Sequence, residues 1–124
     1  MSSYIVGPMK EIEWEIDLGF FIENLLQKWP DITFKREKRE IRGAETVSWE
    51  VKIGANSLYC WLHPTHNTIS MEGGDLEDYV QIALWFRMLV PSDYKLYLSD
   101  EGGNDKVLLG NNSTVQSIIE KLSI

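Results

Sequence analysis

The chain has 124 residues, 44% of them hydrophobic and 25% charged, with five Trp, five Tyr and four Phe, a composition that fills one core and keeps a wet surface. Its net charge of −7 argues against nonspecific attraction to nucleic acid, because phosphate neutralisation requires surplus Lys and Arg. A single cysteine, Cys60, excludes an intramolecular disulfide and a cysteine-only metal site, and suits a reducing compartment.

The charge is uneven. Residues 35–42 read KREKREIR and carry +3, so the remainder carries −10. The first residues, Met1 to Val6, show neither a charged n-region nor a long apolar h-region. The longest apolar stretch, Tyr79 to Val90, is interrupted by Gln81 and Arg87 and falls short of the ~20 residues a membrane helix needs. The expectation is a cytoplasmic protein without a membrane segment.

In chain order, Tyr4 to Val6 predicts a short strand, stopped by Gly7 and Pro8. Leu18, Phe21, Ile22, Leu25, Leu26 and Trp29 recur at helical spacing behind Asp17, and Pro30 ends that helix. Ile32 to Ile41 predicts a half-exposed strand whose charges guard an edge. Val47, Trp49, Val51 and Ile53 alternate with polar residues as the next strand, closed by Gly54, Ala55 and Asn56. Leu58, Cys60 and Leu62 then share one face of a strand while Tyr59, Trp61 and His63 share the other. Thr68 to Glu72 completes a four-strand meander.

Gly73 and Gly74 break the sheet, and Asp75 opens a helix from Leu76 to Leu89. That helix is apolar almost all round in its later half, so it is expected to lie against the sheet with Leu84 in the contact. Tyr94 to Leu98 and Val107 to Leu109 predict short strands around an acidic loop, and Ser113 or Thr114 caps a last helix containing Val115, Ile118, Ile119 and Leu122. No linker divides residues 1–124. Strands clustered between helices imply one α+β domain: a two-layer sandwich with a mainly antiparallel sheet and helices on one face.

Several constellations bear on chemistry. Cys60, His63 and His66 form C-x2-H-x2-H, donors that zinc accepts, and Cys60 with His63 could also be read as a nucleophile and its base. On a strand, however, Cys60 and His63 point to opposite faces, so a buried core thiol and two turn histidines explain the same letters. The glycines ahead of the Leu76 helix hint at a phosphate cradle, but Glu72, Asp75, Glu77 and Asp78 surround it and repel phosphate. Asp100, Glu101, Gly102, Gly103, Asn104 and Asp105 offer oxygen ligands for calcium, in an order that fits a hairpin better than a calcium loop.

No catalytic motif emerges, and no cofactor is called for. In size, acidity and element order the chain is similar to small bacterial proteins that inhibit or neutralise partners, an analogy of type that carries over no residue. The expectation is a non-enzymatic protein-binding domain of the inhibitor or immunity type, with a protein partner of basic character. Tyr59, Trp61, Glu72, Asp75, Glu77, Asp78, Asp100 and Glu101 are the expected contact residues, and Trp49 joins them if the register lets it reach the Tyr59 face. The alternatives are a metal-binding protein or small enzyme centred on Cys60, His63 and His66, and a structural homo-oligomer, such as a homodimer, joined through the same aromatic face.

Overall fold

Period-two alternation of apolar and polar residues builds the sheet. The computed structural model describes residues 3–8, 14–38, 45–100, 106–110 and 112–122. Among them the strands are β1 Ser3–Gly7, β2 Thr33–Lys38, β3 Glu45–Ile53, β4 Asn56–Leu62, β5 Ile69–Glu72, β6 Leu96–Asp100 and β7 Lys106–Leu109. They form one sheet in the order β2-β3-β4-β5-β1-β6-β7, antiparallel at every pairing. The meander is β2 to β5, and the N-terminal strand joins it to the β6–β7 hairpin.

Directly opposed residues share a face, so the register decides what is buried. Phe34, Trp49, Cys60, Met71 and Tyr4 form one row across five strands. Beside it runs Val47, Leu62, Ile69, Val6 and Leu98. Every residue of the second row, and Trp49, Cys60 and Met71 of the first, is buried. These two rows are the floor of the core.

Three helices, α1 Leu18–Lys28, α2 Leu76–Leu89 and α3 Val115–Leu122, cover that floor. From α1, Phe21 meets the rings of Trp49 at 5.5 Å, Trp85 at 5.6 Å and Phe86 at 6.2 Å. Tyr79 of α2 stacks on Tyr4 at 5.1 Å, and Ile118 of α3 is fully buried in the same cluster. The α2 helix lies against the sheet as its apolar run predicts. Tyr79, Val80, Ile82, Ala83 and Phe86 are its sealed positions, whereas Leu84 is half-buried and packs against the core from outside. The fold is an α+β sandwich.

Local signals set the helix boundaries. The Asp17 carboxylate accepts the Phe20 N–H at 3.0 Å and starts α1, and the Thr114 hydroxyl accepts the Ser117 N–H at 3.1 Å and starts α3, each satisfying an amide that the helix leaves free. Between β5 and α2 the chain turns at Gly73, whose φ of +94° and an added Cβ only 2.6 Å from the Ser57 carbonyl oxygen leave room for glycine alone.

The strand expected at Tyr94–Leu98 begins later, at Leu96, because Arg87 organises the preceding turn. Its buried guanidinium donates from Nη1 to the Tyr94 carbonyl at 2.6 Å and from Nη2 to the Val90 and Pro91 carbonyls at 2.9 and 2.7 Å. Tyr94 is thereby held in a turn, with its N–H on the Pro91 carbonyl at 3.1 Å. Burial lowers the Arg87 pKa from its ordinary value, since the charged form loses its hydration.

Candidate functional site

All three helices pack on the Trp49 and Cys60 side, so among the described residues the other side of the sheet meets no helix. On it, the alternation of β4 places Tyr59 and Trp61 in a line that His63, just past the end of the strand, continues. Tyr59 and Trp61 have ring centroids 5.9 Å apart, and the Trp61 and His63 rings lie 6.5 Å apart and within 4° of parallel. Tyr59 is 45% exposed, and Trp61 and His63 are half-buried. This is a strip of aromatic surface on an open sheet.

Cross-strand partners give the strip its polarity. Tyr59 stands directly between Glu50 of β3 and Glu72 of β5, and Trp61 directly between Ser48 and Ser70. His63 Nε2 lies 2.5 Å from the Ser70 hydroxyl. As chemistry, that contact falls short of a nucleophile site. Ser70 is 6% exposed, and β5 is paired on both sides, so its amides serve the ladder and none is left beside Ser70 to hold an oxyanion. The contact instead fixes the imidazole plane parallel to Trp61.

The remaining residues singled out by sequence are distributed as follows. Cys60 is fully buried on the core side and His63 lies on the open side, as their odd separation requires. His66 has a left-handed backbone, φ 58°, and its ring N–H donates from Nε2 to the Glu45 carbonyl at 2.6 Å. Among the described residues no three His, Cys, Asp or Glu side chains gather as metal ligands. Trp49 does not join the aromatic strip, because the register sets it opposite Cys60, on the core side.

The acidic residues divide. Glu72 belongs to the open face with Tyr59. Asp75 and Asp78 both accept from the Asn56 amide, at 3.0 and 2.8 Å, and Asp78 also accepts the Asp75 N–H at 2.9 Å. At 7% exposure, Asp78 holds the start of α2 and faces no partner. Glu77 is exposed on the first turn of α2, Asp100 ends β6 in register with Tyr4 on the helix side, and Glu101 lies outside the described residues. Glu50 was not among the sequence candidates. The signal for it was present: the Gly54–Ala55 turn, with Gly54 at φ 61°, pairs Ile53 with Asn56, and counting back from a two-residue turn sets Glu50 opposite Tyr59.

Among the described residues, two buried acids make the fold sensitive to alkali. Burial, assisted by the Glu72 charge, pushes the Cys60 thiol far above its ordinary value, and burial also raises the Tyr79 phenol, although the N–H of Gly74 donates to its oxygen at 3.0 Å. Both folded-state pKa values are raised, so their contribution to stability is complete below the unfolded values of 9.0 and 10.0. It is lost as pH climbs toward the folded values, because the unfolded chain releases protons first. Urea unfolding is expected to give constant stability from pH 7 to 8.5, then a decline of about 1.4 kcal/mol per pH unit for each group ionised only when unfolded. Cys60→Ala should delay that decline by removing the earlier group. A flat profile to pH 11, or a native thiol that reacts freely with Ellman's reagent at pH 8, would contradict the placement of Cys60.

No family model matches the chain, and no curated protein or solved structure is significantly similar to it.

Proposed function

We propose that the chain is a non-enzymatic protein-binding domain of the inhibitor or immunity type, working in the cytoplasm, whose open sheet face docks a basic protein. The observation that carries this reading is the line of Tyr59, Trp61 and His63 on a side of the sheet that meets no helix among the described residues. Aromatic side chains bury much area for little conformational entropy, which makes them favoured anchors at interfaces. A net charge of −7 steers a basic partner toward the surface and suppresses acidic ones.

Exposed aromatics on a sheet are also how some folds stack single-stranded nucleic acid. That use needs a cationic track along the backbone, and here the most exposed ring of the strip has a carboxylate on either side. The charges favour a protein.

Replacing Tyr59 by the photo-crosslinking residue p-benzoylphenylalanine tests the reading directly. Irradiation in lysate of the source cells is expected to join the chain to a basic protein, in a product that fades when salt is raised before irradiation. Products containing only copies of this chain would move the assignment to a homo-oligomer. Crosslinks to nucleic acid, or none, would overturn it.

A further inference from the structure

We propose that Tyr59, Glu50 and Glu72 form a seat for one arginine or lysine side chain of the basic partner, a refinement that rests on the binding role proposed above. Glu50 and Glu72 are the direct cross-strand neighbours of Tyr59 on its two sides. Their positions are roughly 10 Å apart, twice the interstrand spacing, so a cation resting on the ring stands about midway between two negative charges. The ring face and the carboxylates attract the same group, the one by its quadrupole and the others by charge.

The seat is open. Tyr59 is 45% exposed, Glu50 is exposed and Glu72 half-buried. Among the described residues an ion pair joins Arg36 to Glu45, and neither carboxylate of the seat takes part in it. Among the described residues no third His, Cys, Asp or Glu side chain joins them, and two carboxylates fall short of the about six to eight oxygens that calcium takes. A delocalised guanidinium or a flexible ammonium on a long stem suits the gap better.

The seat ends a longer strip, which selects a polypeptide over a free amine. From Tyr59 the rings of Trp61 and His63 continue at 5.9 and 6.5 Å, a run that matches alternate residues of an extended segment at about 6.8 Å. Lys35, exposed on the same side in register with Ser48, shares a shallow depression with Glu50 and Tyr59. Its ammonium opposes an incoming cation.

The test uses a capped hexapeptide of alternating arginine and alanine as the probe, with its glutamate counterpart and a short oligothymidylate for comparison, followed by NMR on the whole chain. The arginine peptide is expected to shift the Tyr59, Glu50 and Glu72 signals. Glu50→Gln with Glu72→Gln should weaken it by up to about tenfold, the combined size of two surface ion pairs. Glu15→Gln with Glu23→Gln, an equal change of charge at exposed positions elsewhere, should weaken it less than about threefold, and Lys35→Ala should tighten it. Equal weakening by both pairs, or shifts centred away from β4, would mean attraction to net charge alone and would overturn the seat. If the seat variant still crosslinks the same basic protein from position 59 with unchanged yield, the seat is wrong and the binding role stands. Preference for the oligothymidylate would overturn both.

Discussion

Phe21→Ala is expected to lower the unfolding free energy by about 3–5 kcal/mol, the usual cost of emptying a phenylalanine site in a well-packed core. Phe21 has no solvent exposure, and its ring is the point at which α1 meets β3 through Trp49 and α2 through Trp85 and Phe86. Those neighbours are large rings held by their own contacts, Trp85 against Trp29 at 5.1 Å among them, so they have little freedom to collapse into the space. The neighbouring residue supplies a control within the same helix turn. Phe20 is 46% exposed, and Phe20→Ala should change stability by less than about 0.5 kcal/mol, as surface substitutions do. Chemical denaturation of the two variants, with an unchanged slope against denaturant, measures the difference. Equal losses would mean that α1 presents a different face to the sheet.

Most of the fold was legible because the strongest signals were local and periodic. Leu76 to Leu89 is bounded by Asp75 and Pro91 and forms the helix over those residues, and Val115 to Leu122 does the same behind Thr114. The alternation of β3 and β4 placed Leu58, Cys60 and Leu62 on the core side and Tyr59 on the other. What stayed illegible was nonlocal. Nothing in Tyr4 to Val6 reveals that β1 enters between β5 and β6, because pairing partners distant in sequence leave no periodic trace. Sequence admits Trp49 on either face, and the β3–β4 register places it on the core side. The later start of β6 traces to Arg87, whose three carbonyl contacts are made by a side chain far along α2.

For the candidate site the limit was different. Sequence pointed to acidic residues as a group, yet Asp78 is consumed in starting α2 and Asp75 is tied to Asn56. Glu72 stays with Tyr59 on the open face, and Glu50 joins them. Acidity read along the chain could not distinguish a carboxylate spent on its own fold from one presented on a surface. That distinction requires cross-strand register. It can be extracted from a two-residue turn such as Gly54–Ala55 and cannot be extracted from charge counts.

The central claim is that the line along β4 is a contact surface, and the Tyr59→Ala, Trp61→Ala double variant tests it most directly. Neither ring is part of the buried core, and cross-strand pairs on an open face contribute roughly 0.2–1 kcal/mol each. The variant is therefore expected to unfold cooperatively, with stability reduced by no more than about 2 kcal/mol. Removing two aromatic anchors from the centre of an interface should weaken the basic partner identified by crosslinking more than about 100-fold. The measurement pairs thermal unfolding with titration of that partner on the same sample. A folded variant that has lost the partner is the expected result. A variant that unfolds, showing both rings to be essential packing, or one that stays folded and binds the partner undiminished, would contradict it.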